Sequence, residues 1–364
     1  MMTLLDRYII RQFLGTFFFS MLALCIIFLI VNLMETLDKF IDQQLSLETI
    51  ALYYLNFLPE IIKLLTPIAM LMAALFSIGK MSNLNEITAM KSGGMSLYRL
   101  MFPLFIVSLL ITGGHLYFNG WIVPVSNAKK NSIEKNQLKK EEEISTLYNV
   151  YLRDASTKNV IMNNYDGQLK TGAGIIIEDF GSEIHPRIKR RLDAESIKWD
   201  SIHNQWIAIH VHERILAEDS SFTMKFISHD SLPITLATRH DDIIRLQQKP
   251  EELNFDEQKA YIALLERGGK NVRRQMIEYH GQYAFPFANI IVILFAIPFS
   301  AIRKKSGLAL EIATAMIISF LYLAFTKIGN NIGFSMDMDP ILVGWFPNIL
   351  FSIIAILNII RMRT

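Results

Sequence analysis

Six long apolar stretches divide the chain into two groups of three. A run of about 20 mostly apolar residues is enough for a helix to cross the hydrocarbon core of a bilayer. Between the two groups, charges recur every few residues, and no window there is long enough to span. We therefore predict a membrane α-helical fold with six transmembrane helices (3+3). The predicted spans are 12–34, 51–79, 100–128, 281–302, 308–326 and 340–360.

The polar stretch between the third and fourth spans has the pattern of β-strands. Apolar and polar residues alternate with period two in short runs that turn formers separate, which is typical of an antiparallel sandwich or jelly roll. We therefore predict an inserted β-jelly-roll domain, whose open edges would invite a partner strand. A capped helix at 254–266 follows it. The predicted strands are 149–153, 160–165, 174–179, 188–199, 205–214 and 222–227. In the fifth, one face carries Ile207, Ile209 and Val211, and the other carries Trp206, Ala208, His210 and His212.

Charges in the short loops set the expected orientation. Lysine and arginine collect at one side of the spans and acidic residues at the other, and the positive side is normally cytoplasmic. Both termini are then cytoplasmic, and the polar insertion, residues of about 129–280, faces outward. The expected division is 1–128 for the first three helices with the loop helix, 129–280 for the β domain plus its connecting helices, and 281–364 for the last three helices. The first span is too long for the apolar region of a signal peptide.

Composition narrows the function classes. The chain has 364 residues, of which 51% are hydrophobic and 19% are charged, with a net charge of +2. Its only cysteine, Cys25, lies in an apolar run, which excludes an internal disulfide and a multi-cysteine metal site. No basic tail suggests nucleic acid. No nucleotide-binding or hydrolase motif is present, so we expect no catalytic residue, metal or cofactor. His210 and His212 share a predicted strand face, where surface imidazoles are the simpler interpretation than a metal site.

The loop between the second and third spans contains a short predicted helix, at about 83–92. Asn83 and Glu86 have the spacing of a capping box, and Gly93 and Gly94 fit a left-handed helix end. About two helical turns are not stable alone in water, so this helix must dock against something. Two interpretations stay open from the pattern. In one, the helix lies on the membrane surface with its apolar residues, Leu84, Ile87 and Met90, turned inward. In the other, it fits a groove on a cytoplasmic ATPase.

Three segments carry a resemblance to a known family. Residues 5–9 (LDRYI), 86–94 (EITAMKSGG) and 121–124 (WIVP) resemble the LptF/LptG family, the permease subunits of the lipopolysaccharide export ABC transporter. The resemblance covers the whole chain. The first segment is more similar to LptG, and the second is at least as similar to LptF. Within the family, the resemblance favours the LptG branch slightly.

The resemblance implies a function and partners. Two such permeases form a heterodimer that a cytoplasmic ATPase dimer, LptB, drives through the coupling helices. The complex extracts lipopolysaccharide from the inner membrane, and the jelly rolls pass it edge to edge to LptC and LptA. By resemblance, the ATPase-coupling residues are Glu86, Ile87, Met90, Lys91 and Gly93.

The family's lipopolysaccharide-contacting positions match this sequence less well than its coupling segment does. The family places basic residues near the outer end of the first helix, in the second helix and beyond the third, but here Asn32 and Glu60 occupy the first two of these positions. Phosphates still need cations at the outer interface. The resulting lipopolysaccharide-binding candidates are Lys39, Lys63, Lys129 and Lys130. An intrahelical pair of Lys63 with Glu60, and a solvated helix end for Lys129 and Lys130, are the structural alternatives.

Two other functions compete with the permease. One is a membrane-anchored periplasmic scaffold that recruits partners without moving lipid. The other is a secondary transporter, which usually places ionisable groups near the membrane midplane. The loop helix favours an ATPase partner over both. Prolines in the spans are predicted to kink helices that line a cavity. They are Pro59, Pro67, Pro286 and Pro298.

Overall fold

The computed structural model describes residues 3–135, 146–181, 187–216, 224–246, 248–301 and 308–361. The chain forms two compact units. One comprises residues 1–139 together with 273–364, and the other comprises residues 140–272. The second unit is shorter than the predicted 129–280 because the helices on either side of it belong to the first unit.

The first unit is helical. Its helices before the β domain are α1 (Leu4–Asp42), α2 (Leu47–Asn83), α3 (Glu86–Ser92), α4 (Leu97–Tyr117) and α5 (Val123–Ile133), with a π-helical turn (Phe118–Ile122) between α4 and α5. After the β domain come α8 (Arg273–Ala284), α9 (Ala288–Ala301), α10 (Leu308–Ser335) and α11 (Pro340–Arg361). A buried apolar core joins α1, α2 and α4, and Phe13, Met70 and Leu104 lie at its centre with no exposed surface.

Five helices in the described part of the chain are long and apolar enough to cross a membrane. They are Leu4–Asp42, Leu47–Asn83, Tyr98–Ile133, Ala313–Ser335 and Pro340–Arg361. These helices, with the sheet described below, confirm a membrane helical protein with an inserted β domain. The fourth predicted span, 281–302, is interrupted at Pro286, one of the prolines that the sequence predicts to kink a helix. It consists of the end of α8, a 3-10 turn (Phe285–Phe287) and α9.

We name this interruption the Pro286 break (residues 282–288). Its cause is Pro286. Proline has no N–H, so it cannot bond to the carbonyl of Gln282 four residues earlier. The amide of Asn119, in the π-helical turn, donates to that carbonyl instead at 2.7 Å. The N–H of Ala288 bonds within the 3-10 turn, and Asn348 of α11 donates to the carbonyl of Ala284 at 2.5 Å. Both carbonyls therefore have side-chain donors in place of the missing helical N–H groups.

Six antiparallel strands make up the sheet of the second unit. They are β1 (Thr146–Ala155), β2 (Lys158–Asp166), β3 (Thr171–Phe180), β4 (Ile188–Asp200), β5 (Gln205–Leu216) and β6 (Met224–Ile234). Each described strand pairs with its neighbours in sequence, in the order β1 to β6. Among the described strands, β1 and β6 are therefore the two edges.

One row of residues crosses the sheet and shifts the alternation of buried and exposed residues by one position, so that the buried residues on both sides of the row belong to one core. Asn149 on β1, Gly174 on β3 and His210 on β5 lie on this row and have left-handed backbone angles, with φ of 53°, 63° and 51°. Each shifts the alternation of its strand by one residue. In β5, Trp206 and Ala208 are buried before His210, and Val211 after it. The predicted two-face assignment of β5 is therefore wrong beyond His210.

The buried face of the sheet forms a single core that three polar contacts close at one side. Trp206 donates its indole N–H to the carbonyl of Thr238 at 2.9 Å, and the Asp154 carboxylate accepts the N–H groups of Ala237 and Thr238. The hydroxyl of Tyr165 bonds to Nδ1 of His240. Burial lowers the pKa of His240, which favours the neutral ring in that bond.

Three short elements follow the sheet. They are α6 (His240–Arg245), a 3-10 turn (Pro250–Glu252) and α7 (Phe255–Arg267). Asn254 and Glu257 form the predicted capping box of α7, with both bonds at 2.9 Å. The C-cap is Gly268, where an added Cβ would lie 2.9 Å from the carbonyl oxygen of Arg153. The predicted capped helix is therefore confirmed, with Asn254 at its start and Gly268 at its end.

Candidate functional site

The short loop helix is present, but it begins later than predicted. Asn83 is the last residue of α2, and the N-cap of α3 is Asn85, which has a left-handed φ of 60° and makes no side-chain cap bond. The predicted capping box of Asn83 with Glu86 is therefore wrong. Met81 and Ser82 are buried, so packing continues α2 past the point where the local signal would end it.

The other end of α3 matches the prediction. Gly94 has a φ of +83°, its N–H bonds to the carbonyl of Lys91 at 2.9 Å, and the N–H of Met95 bonds to that of Met90 at 3.0 Å. This is the Schellman arrangement, in which glycine takes the left-handed position. The chain therefore turns sharply from α3 towards α4.

One apolar residue anchors α3 in the helical unit. Ile87 is 4% exposed and belongs to the same buried core as α1, α2 and α4, and Met90 packs at its margin. Leu84, the C-cap of α2, is 58% exposed and does not join that core. Lys91 and Gly93 lie on the exposed side. The helix thus has one side in the core and the other side exposed.

Glu86 contacts the first helix instead of capping its own. The hydroxyl of Tyr8 donates to both carboxylate oxygens, at 3.0 and 3.1 Å. Two residues earlier in α1, Asp6 forms a bidentate pair with Arg99 of α4, at 2.7 and 2.9 Å. We name this group of four residues (Asp6, Tyr8, Glu86 and Arg99) the α3 junction. Sequence reasoning missed the other three, although Asp6 and Tyr8 lie in the 5–9 segment that carries the family resemblance.

The four candidate cations are not equivalent. Lys39, near the end of α1, and Lys129, in α5, are exposed, and Lys63 of α2 is half-buried. The ammonium of Lys130 lies 2.7 Å from the carboxylate of Glu60 and 4.8 Å from the centre of the Phe57 ring. Its side chain is 12% exposed. Lys130 is therefore already paired across α2 and α5, which the prediction of a free or solvated lysine did not include.

The histidines of β5 each have another polar partner. Nδ1 of His210 lies 2.6 Å from a carboxylate oxygen of Glu195, and Nδ1 of His212 lies 3.0 Å from the hydroxyl of Ser228. Within the described ranges, no group of three or more metal-binding side chains comes together. The two imidazoles therefore bond to polar side chains of neighbouring strands at the surface of the sheet.

Comparisons with known proteins bear on the same features. A family model described as lipopolysaccharide export system permease LptF/LptG matches residues 7–361. The chain is 19% identical over 365 residues to the lipopolysaccharide export system permease protein LptG of Escherichia coli (strain K12), covering 98% of each protein. It is 20% identical over 355 residues to the protein of the same name from Haemophilus influenzae, covering 97% of each. The match includes both helical groups and the inserted sheet.

Proposed function

The chain belongs to the LptF/LptG family of lipopolysaccharide export permeases, and from this premise we propose how it acts with its partners. It is a multi-pass inner-membrane permease subunit that extracts lipopolysaccharide and passes it on through its β domain toward the outer membrane. The observation that carries this function is the family match from residue 7 to residue 361, because it includes every membrane helix and the whole sheet.

In the proposed complex, ATP hydrolysis occurs on a separate cytoplasmic ATPase dimer, LptB. Helix α3 supports this, because Ile87 anchors it in the helical core while its other side is exposed and available to a cytoplasmic partner. The exposed side of α3, with Glu86, Lys91 and Gly93, is then the surface that the ATPase contacts. Both termini lie on this cytoplasmic side, as the loop charges predict.

A sibling permease completes the transport unit. Large apolar side chains remain exposed along α1 and α10, for example Phe19 at 72% and Phe320 at 72%. Such surface suits lipid, acyl chains or the sibling subunit, since all of them are apolar. We place lipopolysaccharide between the two permeases. The chain's branch, LptG, is the one to which both named relatives belong.

The β domain is the proposed exit route. The edge strands β1 and β6 have unpaired backbone groups on one side among the described strands, which suits edge-to-edge pairing with LptC and LptA. The buried face is an apolar core that extends from Leu152 to Ile234, and we propose that it opens to admit acyl chains. Anionic headgroup phosphates would meet Lys39, Lys63 and Lys129, and also Lys130 when it leaves Glu60.

Variants of Glu86 test the coupling step. We expect Glu86→Ala and Glu86→Lys to reduce co-purification of the ATPase with the permease pair, with the charge reversal causing the larger loss. Membrane insertion should not change, because the residue lies at the end of a short loop helix. Gln168→Ala, an exposed substitution in the turn between β2 and β3, is the control, because it lies outside the proposed ATPase surface. Unchanged ATPase association in both Glu86 variants would contradict the coupling role and favour the scaffold.

A further inference from the structure

The first turn of α1 is held in place by several polar contacts. Asp6 accepts the N–H of Thr3 at 2.9 Å, and the Thr3 hydroxyl accepts the N–H of Asp6, which completes a capping box. The guanidinium of Arg99 then binds both oxygens of Asp6, whose side chain is 9% exposed. A bidentate charged pair of this kind is directional as well as strong. The position of the next turn of α1 relative to α4 is therefore fixed.

Tyr8 is carried on that fixed turn. The next residue, Ile9, is 2% exposed and shares one buried core with Ile87 of α3 and Leu100 of α4. The three helices thus share apolar contacts in the buried core. At the exposed surface beside that core, the Tyr8 hydroxyl donates to the Glu86 carboxylate. A tyrosine ring has only two side-chain torsions, so its hydroxyl can be held in one place at small entropic cost.

The Glu86 carboxylate keeps capacity for a second partner. An ionised carboxylate has about four acceptor positions, and the Tyr8 hydroxyl uses a shared position between the two oxygens. Glu86 is half-buried and is not used in capping α3. A glutamate free to rotate would have to lose several torsional states on binding a partner. One that is already oriented loses fewer of them.

We propose that Tyr8 is a positioning residue for the coupling contact: its hydroxyl orients the Glu86 carboxylate toward a basic group of the ATPase and links that contact to α1. This inference rests on the proposed function of Glu86. It adds α1 to the helices that the ATPase moves, because a pull on Glu86 acts on α1 through Tyr8 as well as on α3.

The test uses the full complex, with both permeases and the ATPase, in lipid nanodiscs. Tyr8→Phe keeps the ring and removes only the hydroxyl. We expect the ATPase to bind about threefold more weakly, the effect of one exposed hydrogen bond. Tyr98→Phe is the matched control, since this half-exposed tyrosine in the first turn of α4 does not contact Glu86 in the described part of the chain.

A double-variant comparison separates positioning from a general structural role. If Tyr8 acts through Glu86, Tyr8→Phe should add no further loss to Glu86→Ala. Glu86→Gln keeps an acceptor for the Tyr8 hydroxyl but loses the charge, so it should bind the ATPase as weakly as Glu86→Ala. Equal binding of Tyr8→Phe and the unaltered protein, or a loss that adds fully to that of Glu86→Ala, would overturn the inference. If Glu86→Ala itself has no effect, the proposed coupling function fails instead.

Discussion

The Pro286 break and the α3 junction both depend on hydrogen bonds from side chains that are distant in the sequence. At the break the acceptors are backbone carbonyls of an interrupted helix, and at the junction the acceptor is the Glu86 carboxylate of a short helix. The surroundings differ. At the break, Asn119 and Asn348 are 1% and 5% exposed, and they donate to backbone carbonyls. At the junction, Tyr8 is 42% exposed, and it donates to a carboxylate that water can also reach. The same type of bond therefore stabilises the fold at one place and sets the direction of a contact at the other.

The burial of a hydrogen bond determines how much its removal changes the free energy of unfolding. A carbonyl left without a donor inside the membrane has no water to replace the lost partner. An exposed group that loses its partner is hydrated instead, so the change in the free energy of unfolding is small. We therefore expect variants at the break to change stability and variants at the junction to change association.

The largest expected effect is at the break. Asn119→Ala and Asn348→Ala should each lower the free energy of unfolding by about 1–2 kcal/mol, because each removes the side-chain donor of a carbonyl at the break. Asn348→Ala also removes the acceptor of the Tyr322 hydroxyl, at 2.8 Å. Thermal unfolding in detergent measures both. Asn56→Ala is the matched control, because that amide donates to the carbonyl of Leu52 in its own helix.

A rescue variant tests the cause. Pro286→Ala restores an N–H that can bond to the carbonyl of Gln282, so Asn119→Ala should cost much less in that background. An equal loss of stability with and without Pro286 would show that Asn119 matters for another reason, and the proline would not be the cause of its role.

The Asp6–Arg99 pair should show an intermediate effect. Asp6 is mostly buried, whereas Arg99 is partly exposed. We expect Arg99→Ala to speed amide hydrogen exchange in the first turns of α1, because the bidentate contact that holds them is lost. Arg99→Lys should fall between Arg99→Ala and the unaltered protein, since an ammonium does not reproduce the planar fork. Unchanged exchange near Asp6 in Arg99→Ala would mean that apolar packing alone fixes this end of α1.

The smallest expected effect concerns lipopolysaccharide binding at the Glu60–Lys130 pair. These two side chains are less exposed than Tyr8 and more exposed than Asn119 and Asn348 at the break. Glu60→Gln keeps the shape of the side chain and releases the charge of Lys130. Binding of lipopolysaccharide should become about two- to threefold tighter, as expected for a partly exposed ion pair. Lys130→Gln should weaken binding by a similar factor, with Lys129→Gln as the comparison. If neither Glu60→Gln nor Lys130→Gln changes binding, the pair only joins α2 to α5.

The sequence was most informative where structure depends on local chemistry. Hydrophobic length predicted the membrane spans, period-two alternation predicted the six strands, and Pro286 predicted a distortion of its helix. The Asn254 cap and the glycine end of α3 were also predictable, because a cap depends on residues within one turn of each other. The membrane fold with an inserted β domain could thus be predicted from the sequence alone.

Contacts between distant residues could not be predicted in the same way. A missing N–H at Pro286 is visible in the sequence, but its substitute, Asn119, acts on a carbonyl 163 residues away. Tyr8 and Glu86 are 78 residues apart, and Glu60 and Lys130 are 70 apart. His210 gave no local signal for its left-handed backbone, which only the row across the sheet explains. The error at Asn83 has the same origin, since tertiary burial extended α2 beyond a valid local cap.

The most direct test of the central claim is whether lipopolysaccharide crosses the buried face of the β domain. A photo-crosslinker at Val150, which packs against the β core, is compared with one at the adjacent Tyr151, which is 67% exposed. The complex is reconstituted in proteoliposomes with lipopolysaccharide, and adducts are followed before and after ATP is added. The proposed exit route predicts adducts at position 150 that increase with ATP, and few at position 151. Adducts that form only at position 151, or that form equally at both without ATP, would contradict it.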